Sequence, residues 1–315
     1  MYTIKQPNQI IFGKYSARDF DFPNDSLVIT SRGAKSRGWL DYTSLENCLC
    51  FDMVESNFSM DTVEKIISEF NDKKFNTIIG IGGGSSLDVA KYCAYKLNKF
   101  KIMIPTTFGS GSEVTRISVL KIKGKKKSFH DDKIFADIAI VDPIFIGSSN
   151  ENIIKNSAID ACAQCTEAYD SKLSNIYTKF ICNEAFTRLE DGILNYNSEN
   201  LVLGSLLSGL GFGNSSTTLG HGLSYVYSNE GFSHGHALAF TTAVSHEFNN
   251  SIFYKKFLKL VKKLNFQPIH LNQNLVDAAN LIMTDKKHLD PNPRVVTKNT
   301  IIELLEKINA GHALD

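Results

Sequence analysis

Apolar residues follow two rhythms along the 315-residue chain. Up to about residue 145, short β-branched runs recur: SLVIT at 26–30, FNTIIGIGG at 75–83, KIMIPTT at 101–107 and DIAIVDP at 137–143. Helical stretches separate them, and that alternation predicts a parallel sheet with crossover helices. From about 151 the strands stop, and apolar residues at helical intervals predict helices over 151–170, 175–192, 199–212 and 299–309. The loop composition of GSSN places a boundary near 148. The expected fold is therefore α/β, with a Rossmann-like parallel-sheet domain over 1–148 and an all-α domain over 149–315.

Composition narrows the classes of function. At about 150 residues per domain the length suits two domains with ordinary cores. The charges nearly cancel, 34 Lys and Arg against 33 Asp and Glu, for a net of +1. That balance lacks the basic field of a protein that grips nucleic acid or an anionic membrane. No apolar run approaches the roughly 18 residues of a membrane span, and MYTIKQPNQIIFGK lacks the apolar core of a signal peptide. The expectation is a cytoplasmic protein with no nucleic-acid or membrane partner. Six cysteines show no framework spacing and read as reduced thiols. Cys162 and Cys165 spell C-x-x-C, but on helical spacing without the preceding strand of a thioredoxin-type motif.

Two loops of the first domain carry candidate phosphate chemistry. The strand Thr77–Ile81 runs into Gly82, Gly83, Gly84, Ser85 and Ser86, and then into a helix bearing Asp88 and Lys91. Glycines at a strand-to-helix turn let the backbone approach a ligand and aim free N–H groups, backed by the helix dipole, at phosphate oxygens. A tight connection alone also calls for glycine, so this loop does not decide the matter. The second strand, KIMIP, leads into Thr106, Thr107, Gly109, Ser110, Gly111, Ser112 and Glu113. Two such loops at adjacent C-terminal strand ends form the crevice in which open α/β sheets bind nucleotides.

The second domain carries candidate metal chemistry. Asp160 and Gln164 are i and i+4 on one helix, so their side chains leave the same face one turn apart. His221 closes GNSSTTLGH and His234 opens HGHALAF, with the loop SNEG between them. Singly, each histidine reads as a packed or capping residue. Together the four offer an N/O ligand set suited to Fe(II) or Zn(II) rather than Ca or Mg.

These segments, in this order, resemble the iron-containing (group III) alcohol dehydrogenases, which have the dehydroquinate synthase-like fold. The resemblance rests on IIFGK, GIGGGSSLDVAK (80–91), IPTTFGSGSEVT (104–115), AIVDP (139–143), AIDACAQCTEAYDSK (158–172), LGHGLSYVYSNEGFSHGHALAF (219–240) and NPRVVT (292–297). It implies a dinucleotide held at the pyrophosphate by Gly83, Gly84 and Ser85, and by Thr106 and Thr107 nearer the ribose and nicotinamide. Ser31, Asp88, Ser112 and Lys127 join them as cofactor-binding candidates. It also implies a divalent metal on Asp160, Gln164, His221 and His234. The family's usual second ligand is histidine, so Gln164 is a departure that lowers metal affinity, although one branch carries glutamine there. Where members often have a further histidine one turn after His221, this chain has Tyr225, and with His236 it is the candidate for moving the proton. NAD-preferring members carry an acidic residue after the second strand. Here LVIT is followed by Ser31 and Arg32, which favours NADP(H) over NAD(H) unless Arg32 merely caps a turn.

The implied reaction is hydride transfer between a nicotinamide and the carbinol carbon of a primary alcohol, equivalently its aldehyde, by a homodimer. The segment 221–238 is similar to members acting on phosphonoacetaldehyde or sugar acids, and KGKKK (123–127) is either a steering site for an anion or a solvated hairpin tip. Two alternatives remain. One is a nucleotide-binding protein whose metal site has decayed, suggested by Gln164. The other is a dehydroquinate synthase-like cyclase or lyase, disfavoured because Lys172 is the one basic residue other than histidine in 158–172 and 219–240.

Overall fold

The computed structural model describes residues 1–55, 59–122 and 125–314. The chain divides into two compact units, Lys5–Asn150 and Glu151–Asp315, the latter also taking Met1–Ile4.

The first unit is built on a parallel sheet. Its strands are β1 (Gln9–Phe12), β2 (Ser26–Ile29), β3 (Leu49–Phe51), β4 (Thr77–Gly82), β5 (Phe100–Pro105) and β8 (Ile138–Val141), in the spatial order β1-β8-β5-β4-β2-β3. Strands β2 and β4 are buried along their whole length, which is why they read as unbroken apolar runs rather than as alternation. Helices α1 (Arg32–Ser36), α2 (Trp39–Tyr42), α3 (Met60–Glu69) and α4 (Gly84–Leu97) belong to the same unit. The register pairs Gly82 with Pro105, so the loops after β4 and β5 begin side by side, and Thr106 N donates to Gly82 O at 2.9 Å.

Three features go beyond the four strands expected from the sequence. β1 and β3 are edge strands of four and three residues, too short to show a pattern of their own. β6 (Ile117–Ile122) and β7 (Lys125–His130) form a separate antiparallel hairpin. Of the basic run at 123–127, Lys123 and Gly124 lie outside the described residues, while Lys127 is exposed on β7 with Nζ 5.6 Å from the centre of the Phe129 ring. Asp142, just past β8, accepts from Tyr15 N at 3.1 Å, Ala17 N at 3.2 Å and the Tyr42 hydroxyl at 2.8 Å, tying the segment after β1 to the last strand.

The second unit is helical: α5 (Glu151–Asp170), α6 (Ile176–Leu194), α7 (Ser198–Gly213), α8 (Leu219–Asn229), α9 (His234–Asn249), α10 (Tyr254–Leu264), α11 (Leu275–Ile282), α12 (Lys286–Leu289) and α13 (Lys298–Asn309). Its core gathers Ala158, Ala161, Cys162, Cys165 and Ala168 of α5 with Leu223 and Val226 of α8 and Leu238 and Val244 of α9. The small residues of α5 let its neighbours approach closely, which fixes the site-bearing helices against one another. Cys162 and Cys165 are buried free thiols whose ionisation burial pushes up, so neither has the thiolate character of a redox motif. No helix among the described residues is long and apolar enough to cross a membrane.

Candidate active site

Helix α5 presents Asp160, Gln164 and Glu167 on successive turns of one face. Helix α8 brings His221 and helix α9 brings His234 to the same place. One ligand atom each from Asp160, His221 and His234 lies within 4.8 Å of the others. Asp160 Oδ1 is 3.6 Å from His221 Nε2 and 3.8 Å from His234 Nε2.

Glu167 holds the arrangement from behind. Its carboxylate lies 2.5 Å from His221 Nδ1 and accepts from the backbone N–H of Thr218 at 3.0 Å and of Gly220 at 2.5 Å, at the start of α8. With Nδ1 engaged, the ring turns Nε2 toward Asp160. Burial alone would raise the Glu167 pKa, but the His221 charge and hydrogen bond outweigh it and hold this carboxylate ionised. Burial likewise disfavours protonated His221, and Glu167 together with Asp160 reverses that and raises its pKa. Two carboxylates around one imidazole are an environment that wants positive charge. A carboxylate behind a ligating histidine is the arrangement that fixes the tautomer and orientation of metal-bound imidazoles. The donor set therefore fits Fe(II) or Zn(II).

The start of α9 is set by close packing. A Cβ on Gly235 would fall 2.1 Å from Asn156 O, so glycine beside His234 allows α9 to press against α5. Ser224 Oγ donates to His221 O at 2.8 Å and lies 3.5 Å from His234 Nδ1. Gln164 turns its amide nitrogen to Asp160, donating to Oδ1 at 2.9 Å.

The two proton-moving candidates part company. Tyr225 stays at the site: its ring lies 6.3 Å from that of His234, and burial, then the charges of Asp285, Asp160 and Glu167, push its pKa up and keep the phenol protonated. His236 does not. Two positions from His234 on α9, it points about 200° away round the helix. There its ring packs against Phe232, Phe240 and Phe266, and Nε2 meets Gln267 O at 2.6 Å. His236 is thus a correction to the sequence expectation, a packed histidine on the wrong face of α9.

Sequence reasoning missed two residues that border the ligands. Glu167 was visible as the next member of the α5 face after Gln164. His288, from α12, had no local signal: its ring stacks on His221 at 6.2 Å and 13°, meets Tyr225 at 5.5 Å, and its Nδ1 lies 2.6 Å from Asp285 Oδ2.

In the α/β unit the two loops interlock. A Cβ on Gly83 would sit 3.0 Å from Thr107 Oγ1 and one on Gly84 2.8 Å from Ser110 Oγ, so the glycines serve the contact between loops as well as any approach of a ligand. Gly83 precedes α4 with no side-chain cap, and Gly84 and Ser85 are its first residues, so their N–H groups stand at a helix N-terminus. Asp88 and Ser112 are engaged within the fold. The Asp88 carboxylate accepts from Ser112 Oγ at 2.6 Å and Val119 N at 3.0 Å and lies 3.7 Å from Lys91 Nζ. They brace the loop rather than face a ligand. Ser31, two residues past β2, caps α1, its hydroxyl accepting from Ala34 N at 3.4 Å.

A family model for iron-containing alcohol dehydrogenase matches residues 7–143. The 4-hydroxybutyrate dehydrogenase of Clostridium kluyveri is 33% identical over 208 residues, 57% of this chain and 56% of that protein. The chain thus spans about half the length of the curated relatives it matches first. Among solved structures, an iron-containing alcohol dehydrogenase of Thermotoga maritima superposes with a TM-score of 0.88 at 23% identity, covering 98% of this chain and 100% of that one. The sulfoacetaldehyde reductase of Bifidobacterium kashiwanohense, solved with NAD+, gives 0.89 at 20% identity over 98% and 99%. The sequence match to iron-containing alcohol dehydrogenases runs through the nucleotide loops of residues 7–143, and the chain shares the fold of solved members of that family through both units.

Proposed function

We propose that the protein interconverts a primary alcohol and its aldehyde by hydride exchange with NADP(H) or NAD(H), using Fe(II) or Zn(II) held at Asp160, His221 and His234. The observation that carries this reading is the convergence of those three ligand atoms within 4.8 Å, with Glu167 behind His221. When bound, the ion supplies Lewis-acid polarisation of the substrate oxygen and the dinucleotide supplies the hydride chemistry. The chain's own residues do the positioning. Glu167 keeps Nδ1 of His221 engaged and so keeps Nε2 free to bind. The helix N-terminus at Gly84 and Ser85 offers N–H donors to a pyrophosphate, and Thr106 and Thr107 stand in the loop after the neighbouring strand β5. Tyr225, held protonated beside His234, is the candidate to hydrogen-bond a substrate oxygen and relay its proton.

Small anionic aldehydes are the substrate class we favour. The C. kluyveri relative is named for 4-hydroxybutyrate and the B. kashiwanohense neighbour for sulfoacetaldehyde, and phosphonoacetaldehyde belongs to the same chemical class. The preference for NADP(H) rests on Ser31 and Arg32 following β2 in place of a carboxylate. The family reading carries a cytoplasmic homodimer with it, which fractionation and light scattering check. A reductase screen over short aldehydes with and without a carboxylate, sulfonate or phosphonate, run with both cofactors on metal-loaded protein, tests the proposal. Turnover with preference for the anionic members supports it; equal rates across the panel remove the anionic substrate; absence of turnover together with absence of metal binding removes the enzyme reading in favour of a nucleotide-binding protein.

A further inference from the structure

Gln164 occupies the place on α5 from which a fourth side chain would reach the metal, yet its amide is committed to a neighbour. Nε2 donates to Asp160 Oδ1 at 2.9 Å, and Oε1 lies 3.5 Å from Ser208 Oγ, whose own proton goes to Ala161 O at 2.8 Å. Reversing the amide would set two acceptor oxygens, one of them charged, 2.9 Å apart. Gln164 is almost fully buried, 5% exposed, so water does not relieve that contact. Asp160 Oδ1 has lone pairs for both the amide N–H and a metal.

We propose that Gln164 is a positioning residue rather than a ligand: it orients Asp160 through its amide N–H, so that the metal is held by three protein atoms, from Asp160, His221 and His234. This rests on the metal reading above and deepens it. Catalytic zinc sites commonly have three protein ligands and leave a position for substrate or water. Two histidines and one carboxylate with open positions is also a recognised set for Fe(II). On this account the substitution of an amide for a stronger ligand does not mark decay. It exchanges a fourth bond for an open position on the ion and a fixed Asp160.

The test uses the whole protein loaded with Co(II) as a spectroscopic probe and with Zn(II) for affinity and crystallography. In Gln164→Leu, which keeps the bulk and removes the N–H, the positions and intensities of the Co(II) visible bands stay as in wild type, while Zn(II) affinity by chelator competition falls about 10- to 100-fold, the usual loss when a group that orients a ligand is removed. Bands that shift to those of a lower coordination number, or an affinity that does not change, overturn the proposal. Should that variant not fold, the crystal structure of the Zn(II)-loaded wild type decides. A Gln164 oxygen at about 2.0–2.2 Å from the metal makes it a ligand and defeats this proposal alone, whereas the amide N–H still on Asp160, with no Gln164 atom at that distance, upholds it. A wild-type protein that takes up neither metal defeats this proposal and the functional reading together.

Discussion

His221 Nδ1 and the Glu167 carboxylate stand 2.5 Å apart in the interior of the helical unit, and that contact sets which ring nitrogen faces Asp160. Glu167→Gln keeps the shape and an acceptor oxygen but removes the charge. The expected outcome is a loss of about 10- to 100-fold in metal affinity, with turnover reduced accordingly. Metal content and chelator competition measure it. An unchanged affinity would show that Glu167 matters only as the cap of α8.

Gly235 is expected to tolerate no side chain. Because its Cβ would meet Asn156 O at 2.1 Å, Gly235→Ala forces α9 away from α5 and carries His234 with it. Overpacking of this kind costs about 1–3 kcal/mol or more. Chemical denaturation reads the stability loss, and metal binding should weaken by more than the loss of stability alone would predict. A variant with wild-type stability and metal content refutes the packing argument.

Stability should depend on pH through His246. This residue is fully buried; Nε2 lies 2.8 Å from Thr166 Oγ1, while Nδ1, 3.8 Å from Asp170 Oδ2, has no hydrogen bond. Burial pushes its pKa down to about 4, against the pull of Glu167. A histidine kept neutral by the fold contributes its full stability above an unfolded pKa near 6.5 and loses it as pH falls through 6.5 toward 4, a change of about 2–3 kcal/mol. Asp170 acts in the opposite sense, because burial raises it to about 6, so its protonated form contributes below its unfolded value and that contribution disappears as pH rises through 6. Urea unfolding between pH 7 and 4.5 should therefore show a flatter decline for His246→Gln than for wild type. Parallel curves would remove His246 as the cause.

Cofactor preference should turn on Ser31 and Arg32, just past the end of β2. Arg32→Ala is expected to raise the Kd for NADPH by about tenfold, the loss of one charge-assisted contact, while leaving NADH nearly unchanged. Ser31→Asp should shift preference toward NADH, since a carboxylate there accepts from a ribose hydroxyl and repels a 2′-phosphate. Nucleotide fluorescence titration measures both, and equal effects on the two nucleotides would place the 2′-position elsewhere.

Much of this arrangement was legible in the chain because it depends on local spacing. The four runs that read as strands became β2, β4, β5 and β8, and the range 151–170 became α5 with the same bounds. Asp160 and Gln164 share a face because they are one turn apart, which needs no tertiary knowledge. His236 failed for the converse reason: proximity in sequence to His234 says nothing about the face of a helix whose register is set by packing. Asp88 and Ser112 looked like ligand contacts because short polar residues suit both a phosphate and a loop brace, and only the fold reveals that they bond to each other. His288 reaches His221 from far along the chain, a coincidence of tertiary packing that no local pattern records.

The pairing of β1 with β8 has a consequence for synthesis. Gln9 is matched with Ile138 and Phe12 with Val141, and β8 lies between β1 and β5, so the first strand made has no place in the sheet until the last is delivered. A ribosome adding about 5–20 residues per second leaves the segment QIIF unpaired for about 6 to 26 seconds after it is made. During that interval the nascent chain carries a short apolar strand open to mispairing with other chains. Asp142, arriving one residue after β8 to collect Tyr15 N and Ala17 N, then acts as the latch that retires it.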